Sequence, residues 1–559
     1  MNWTDHLIVA PVLVPMLAGA VMVLLDESRR RLRFAIAMVS TTAQLAIAVL
    51  LMLLADGRQG EWIDSVGVYI AANWPVPFGI ALGVDRLSAV LLLLASVLAL
   101  SSLMFARARW ERAGVHFYPL FQFLLMGVNG AFLTADLFNL FVFFEVMLAA
   151  SYGLMLHGSG QERVRSGMHY VAVNLLASSF FLIGVSMIYG VTGTLNMADL
   201  ARVAPRVAGE DRMLLEAAVA VLGIAFLIKS AMWPLNFWLV PAYSAATPPV
   251  AAAFGILTKV GVYVILRLWV LVFVDGAGDS TGFGRELLLY GGMATLAFGL
   301  VGMLAANDLG RLAAYSILLS SGTLLTAIGF GSAAIIAAAL YYLISATLAV
   351  AAMFLLIELV DRSQSFGAGV LAVTFEVFET QGRMHARDDD EPGEEAGVVI
   401  PAAMAFLGLS YIGCALLIAG LPPLSGFLAK FALLTAVLNP SGLDGSASAE
   451  VGVEAWTLLV LLIASGLAGA IALGRIGIRA FWVPVRREPP RLRVIEVLPI
   501  AGLLALSVAI TVHAGPVMRY LDDAAASLRT SDDYTRSVLS APRVPSPPPR
   551  TPAPAGATQ

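Results

Sequence analysis

Three lysines, Lys229, Lys259 and Lys430, are all the lysine in a chain of 559 residues that carries 34 basic side chains. The other 31 (34 minus 3) are arginines, most of them in polar connecting stretches. Each lysine lies instead inside an apolar run, as in FLIKSAMWP, GILTKVGVY and GFLAKFALL. Arginine keeps its proton in any protein setting, whereas a desolvated lysine gives it up readily, so lysine can load and release protons where arginine cannot. A charge at the bilayer centre costs roughly 2.5–3.5 kcal/mol on insertion scales, which marks such residues as functional by default. A compositional drift from lysine to arginine accounts for the loops but leaves these three unexplained.

A counter-charge is available in Glu145, isolated within LFNLFVFFEVMLAASYG, with Asp136 at the start of the same run. A carboxylate held beside a lysine in hydrocarbon favours the ammonium, and separation lets desolvation favour the amine. A Glu145–Lys229 pair would therefore turn helix motion into proton movement. Lys259 could receive that proton, and Lys430 could pass it on or release it. Asn139, Asn174, Ser230, Asn236, Thr258, Ser345 and Thr347 could hold a water chain, although amides and hydroxyls also serve as ordinary helix–helix contacts. His169 could join the path.

The elements that must position these groups follow from composition. With 59% hydrophobic and 13% charged residues the chain reads as an all-α polytopic membrane protein. A net charge of −4 provides no basic surface for nucleic acid. One cysteine, Cys414, excludes cysteine-ligated clusters and a disulfide framework. No nucleotide-binding loop, metal-ligand cluster or base-activated nucleophile is found, so no cofactor and no enzymatic chemistry are expected. The first apolar run lacks a basic leader and a small-residue cleavage site, and reads as a retained helix.

A crossing helix needs about 20 apolar residues, and about fourteen segments qualify. They lie near 6–25, 34–55, 79–105, 115–134, 136–157, 167–190, 214–240, 242–272, 287–305, 311–330, 333–358, 400–438, 455–480 and 495–514. The seventh and twelfth are interrupted by proline at KSAMWP and AGLPPLSGF, each beside a lysine. Paired breaks of this kind point to inverted repeats and to a transport path. The expected organisation is three N-terminal helices over 1–114, a five-helix repeat over 115–272, its inverted counterpart over 287–480, and a last helix over 495–514. A polar, acidic linker is expected over 361–398, where His385 reads as a surface histidine, and a disordered Pro-rich tail over 523–559. Arg29, Arg30, Arg31 and Arg33, then Arg107, Arg109 and Arg112, then Arg163 and Arg165, and finally Arg475, Arg479, Arg486, Arg487, Arg491 and Arg493 fall on one face. The face of Arg58 and Arg285 is poorer in arginine. The positive-inside rule makes the arginine-rich face cytoplasmic and places both termini outside.

At these residues the chain resembles the antiporter-like membrane subunits shared by respiratory complex I, membrane-bound hydrogenases and the Mrp-type multisubunit cation/proton antiporters. The blocks that carry the resemblance are FVFFEVMLAASYGL, FLIKSAMWPLNFWLVPAYSAATPPVAA, GILTKVGVYVILR, ANDLGRLAAYSILLSSG and AGLPPLSGFLAK. Length, the N-terminal run and GRLAAYSILLSSGTLL are most similar to the D-type subunits of the Mrp group. The resemblance implies a proton pathway through Glu145, Lys229, Lys259 and Lys430. It also implies secondary Na+/H+ exchange in a bacterial inner membrane, with the other subunits of a hetero-oligomer as partners. A proton-pumping subunit of a redox complex is the alternative. Many relatives carry a histidine where this chain has Ser345, and some a lysine where it has Val350. The resemblance thus implies that the second half relies on hydroxyl groups and water.

Overall fold

The computed structural model describes residues 3–26, 28–57, 62, 65–114, 116–273, 278–380, 402–439, 451–481 and 492–541, with the helix backbone alone over 363–380. In chain order come α1 (Trp3–Leu7), α2 (Ala10–Leu24), α3 (Arg30–Ala55), a hairpin of β1 (Gly67–Ile70) and β2 (Ala81–Val84), α4 (Arg86–Ala106), α5 (Phe117–Leu133), α6 (Leu137–Met155), α7 (Gln161–Thr192) and α8 (Met197–Val203). Next are α9 (Gly209–Lys229), α10 (Leu239–Ala245), α11 (Pro248–Phe254), α12 (Leu257–Phe273), α13 (Arg285–Ala305), α14 (Leu309–Phe330) and α15 (Ala333–Thr380). The chain continues with α16 (Ala402–Ala419), α17 (Ser425–Leu438), α18 (Val453–Phe481), α19 (Val494–Val512), α20 (Ala514–Arg529) and α21 (Ser531–Leu539). Among the described residues eleven spans are long and apolar enough to cross a membrane, α11 and α12 forming one of them. That is three fewer than fourteen, because α2 and α5 are short and α9 carries Glu210, Asp211, Arg212, Glu216 and Lys229; the expected segment 400–438 is split into α16, which is long enough, and the short α17.

Other boundaries also differ from those expected of the sequence. The first residues of the third expected segment, 79–105, include β2, which pairs antiparallel with β1 from Gly67↔Val84 to Ile70↔Ala81, and the helix starts only at Arg86. Where a linker was expected from 361, α15 continues to Thr380, no proline interrupting it; residues 381–398, with His385, lie outside the described residues. The tail expected from 523 is helical to Leu539, and 542–559 are not described. The reason is amphipathicity over segments too short to cross a membrane: Leu521, Ala524, Ala525 and Leu528 of α20 and Tyr534 and Val538 of α21 are buried.

Local sequence explains the helix starts and the tight packing. Asp85 caps α4 by accepting from the Ser88 N–H at 2.9 Å, and Asp136 caps α6 by accepting from the Asn139 N–H at 2.9 Å. α13 and α14 touch backbone to backbone. A Cβ on Gly292 would lie 2.5 Å from the Thr326 nitrogen, and one on Gly322 2.5 Å from the Leu296 nitrogen. Small residues allow this approach, as membrane helix interfaces require.

The arginine-bearing turns gather on one face. Arg493 donates to the Ala108 carbonyl at 3.0 Å, Arg362 pairs with Glu496 at 2.8 Å, and Arg475 donates to the Ala306 carbonyl at 2.6 Å. Trp110 donates to Glu358 there, and Arg109, Arg163, Arg362, Glu358 and Asp361 line a cavity of about 570 Å³. The β-hairpin, α8 and α21 meet on a second surface, where the Gly83 backbone faces the Tyr534 hydroxyl.

A buried ion pair ties that surface to α12. Arg267 donates to both Asp85 carboxylate oxygens, at 2.6 and 2.8 Å, and the Tyr534 ring lies 4.9 Å from its guanidinium carbon. Burial alone would raise the Asp85 carboxyl, but the Arg267 charge and the Ser88 donors outweigh it and hold the group below the usual carboxylate range. With a lowered native value, the pair's contribution is complete above about pH 4 and is lost as pH falls through that value. Asp85→Ala strands the guanidinium and should cost about 3–5 kcal/mol. Tyr534→Ala removes a buried ring as well as the cation–π contact and should cost about 3–5 kcal/mol. Thermal unfolding in detergent measures both, and Asp85→Ala with Arg267→Met should recover much of the first loss.

Candidate proton path

Lys229 is the last residue of α9, where the helix stops and the chain crosses Ser230–Trp238 before α10 begins. Ala231 takes a left-handed conformation at φ 57, and Trp233–Pro234 is a cis peptide. The groups freed by the break find partners. The Trp238 indole donates to the Ile228 carbonyl at 3.1 Å, and the Trp233 N–H donates to the Thr295 hydroxyl at 2.8 Å. Lys229 is buried, and its Nζ donates to Asn174 Oδ1 on α7 at 2.8 Å. Glu145 lies within electrostatic reach of Lys229, but among the described residues no ion pair of 4 Å or less joins them. Glu145 Oε1 is buried without a hydrogen-bond partner.

Lys259 is buried on α12, two residues before Gly261, which packs against Lys229 and Ser230. Its Nζ donates to the Ser320 hydroxyl on α14 at 2.7 Å. The buried Tyr342 hydroxyl on α15 lies against Ser320 and Thr323, and Tyr342 also faces a cavity of about 20 Å³. Ser316, Ser345, Ser465 and Lys430 share that cavity, which is large enough to hold one water. A polar line thus leads from Lys259 through Ser320 and Tyr342 toward Lys430.

The second broken helix has the same logic with the order changed. α16 ends at Ala419, Gly420 is left-handed at φ 74, and α17 starts at Ser425 after the cis Pro422–Pro423 peptide. Lys430 sits on the second half-helix and reaches back, donating to the Ala419 carbonyl at 3.0 Å. The amine thereby fills an acceptor left free at a helix C-terminus, the end whose dipole favours cations. Ser345 shares a hydrogen bond of 2.8 Å with Ser425 at the start of α17.

The structure therefore sets a polar line from Lys259 toward Lys430, and places Lys229 beside Lys259's helix where Gly261 packs on the α9 break, with Glu145 within electrostatic reach of Lys229. His169 does not join: it is exposed on α7, its ring 5.5 Å from that of Phe237. Asp136 acts as the α6 cap and bridges to Asn196 in the backbone. Of the candidate water-chain residues, Asn174 holds Lys229, while Thr258 and Asn236 carry buried polar atoms without protein partners. Ser320, Tyr342, Tyr170 and Trp238 escape a reading of the sequence, since single polar or aromatic residues in apolar helices give no distinguishing pattern. Among the described residues no three His, Cys, Asp or Glu side chains come together to hold a metal ion.

Comparison with known proteins bears on this arrangement. Residues 134–448 match the family described as NADH:quinone oxidoreductase/Mrp antiporter, TM. A Rhizobium meliloti protein, named as the D subunit of a probable K(+)/H(+) antiporter, is 53% identical over 97% of this chain and 99% of its own length. The D subunit of the Na(+)/H(+) antiporter of Alkalihalophilus pseudofirmus is 32% identical over 96% of this chain and 99% of its own. A chain in the Mrp complex of Dietzia sp. superimposes with a TM-score of 0.79 at 26% identity, covering 96% of this chain and 100% of that one. A chain of respiratory complex I from Thermus thermophilus shares the fold, with a TM-score of 0.70 at 22% identity over 94% of this chain and 99% of that one.

The contact between α12 and the α9 break is open to test. A Cβ on Gly261 would lie 3.0 Å from the Ser230 nitrogen and 3.1 Å from Lys229 Cβ, and backbone cannot yield as a side chain does. Gly261→Val should destabilise the protein by about 1–3 kcal/mol, read as a lower midpoint of thermal unfolding.

Proposed function

Since the chain belongs to the NADH:quinone oxidoreductase/Mrp antiporter family of membrane subunits, we propose that it is the proton-translocating subunit of a hetero-oligomeric monovalent cation/proton antiporter. The observation that carries this is the placement of three amines, Lys229 and Lys259 buried and Lys430 half-buried, two of them at helix breaks and each on a neutral oxygen. Lys229 takes up a proton while Glu145 is close and yields it when the two separate. Lys259 accepts it, and the hydroxyl groups of Ser320 and Tyr342 with water in the adjoining cavity carry it toward Lys430. Ser345 and Ser425 supply hydroxyls there in place of an imidazole. The arginine-rich face is cytoplasmic by the positive-inside rule, which sets both termini outside a bacterial inner membrane. Sodium is the cation that the sequence resemblance implies. The relative of 53% identity, named for potassium, gives potassium the greater weight.

Everted vesicles from an antiporter-deficient host, expressing this chain with its neighbouring subunits, provide the test. After respiration has built a pH gradient, potassium chloride should collapse it, and sodium chloride is the comparison. Lys229→Ala and Lys259→Ala should reduce the response to background while the complex remains assembled. Glu145→Gln should do the same, and full exchange in that variant would make Glu145 structural. Flavin or iron–sulfur absorbance in the purified complex, with no cation response, would overturn the antiporter reading in favour of a redox-driven pump.

A further inference from the structure

We propose that Asn174 is the second partner of Lys229, the positioning residue on which the lysine rests when it has left Glu145 and is free to change its proton. The inference builds on the reading of Lys229 as a proton carrier.

The bracket around Asn174 is fixed on every side. Its Nδ2 donates to the Tyr170 carbonyl at 2.8 Å, and since a carbonyl can only accept, the amide is oriented with Oδ1 toward Lys229 Nζ. Tyr170 is itself held. Its hydroxyl is 2.9 Å from the Ser151 hydroxyl, and its ring lies 5.5 Å from Trp238 and 5.8 Å from Tyr152. Trp238 closes the circuit by donating to the Ile228 carbonyl, one residue before Lys229. Below this, α7 and α9 meet at backbone distance, a Cβ on Gly184 lying 2.6 Å from the Leu222 nitrogen. Asn174 thus presents a rigid acceptor at a set height on α7, at 1% exposure.

The chemistry of an amide oxygen suits that place. A carboxylate binds an ammonium strongly and a neutral amine weakly, so Glu145 holds Lys229 only in its charged form. An amide oxygen accepts an N–H from either form, so Asn174 keeps Nζ in position while the proton leaves. Glu145 Oε1, buried without a hydrogen-bond partner and within electrostatic reach of Lys229, is an acceptor open to the amine on the α6 side. The titratable group facing Lys229 is Glu145 on α6, which itself lies within electrostatic reach of Tyr152; α12 contributes Lys259, which is turned to Ser320.

The test uses the assembled complex in everted vesicles, with assembly quantified and exchange measured from pH 6 to 9. Asn174→Asp turns the resting place into a second carboxylate, which should move the pH profile upward by about one unit or more. Asn174→Leu removes the acceptor and should lower the maximal rate roughly tenfold or more. Asn174→Ser retains a hydroxyl acceptor and should recover part of that rate. Wild-type rate and pH profile in assembled Asn174→Leu and Asn174→Asp would overturn the proposal. If neither assembles, Asn174→Ser decides: a lowered maximal rate in the assembled complex supports the role, and a wild-type rate overturns it. Lys229→Ala, run alongside, separates the two readings. Exchange surviving in Lys229→Ala would sink the proton-carrier role itself, whereas loss there with normal Asn174 variants would sink only the role given to Asn174.

Discussion

An amine buried in a hydrocarbon-spanning protein must be hydrogen-bonded, and yet, if it is to move protons, it must not be locked. The rest of this structure can be read from that requirement. Lys229, Lys259 and Lys430 bond to an amide oxygen, a hydroxyl and a backbone carbonyl. Each acceptor is neutral and satisfies an N–H without fixing the charge of the nitrogen. Arginine is used in the opposite way. Among the described residues the ion pairs within 4 Å are arginine's, as in Arg267–Asp85, Arg362–Glu496 and Arg107–Glu111. A group that cannot lose its proton is paired with a fixed counter-charge, and a group that can is left on neutral oxygen.

The helix breaks follow from the same need. An intact helix consumes its own carbonyls and offers nothing to an amine in its middle. Stopping α16 at Ala419 frees a carbonyl that Lys430 fills, and stopping α9 at Lys229 puts the amine at the negative end of a half-helix. The exposed backbone is then covered case by case, by Trp238 on the Ile228 carbonyl and by Thr295 on the Trp233 N–H. Irregular backbone at membrane depth is tolerable because the protein itself supplies these partners.

Around the breaks the frame is stiff. The glycine contacts of α13 with α14 hold backbones together, and the Asp85–Arg267 pair, covered by Tyr534, fastens α12 to the start of α4. Lys259 rides on α12, so its distance from Ser320 is set by that fastening. Tyr534 of α21 therefore contributes to the placement of α12, and with it of Lys259, although α21 bears no lysine.

Much of this is legible in the chain itself. The three lysines in apolar runs, the prolines beside two of them, the isolated Glu145 and the one-sided arginines are local features, and local composition determines them because the bilayer penalises each charged residue separately. The amphipathic spacing of residues 514–539 is equally local but too short to resemble a span, so by sequence it passes in part for tail. Which groups meet was decided by tertiary structure alone. Lys229 and Asn174 are 55 residues apart, Lys259 and Ser320 are 61 apart, Ser345 and Ser425 are 80 apart, and Arg267 and Asp85 are 182 apart. Hydrophobic spacing fixes that a helix is buried but leaves its rotation against each neighbour open. The choice of Asn174 over Glu145 as the partner of Lys229 depends on that rotation and on the packing of α7 against α9.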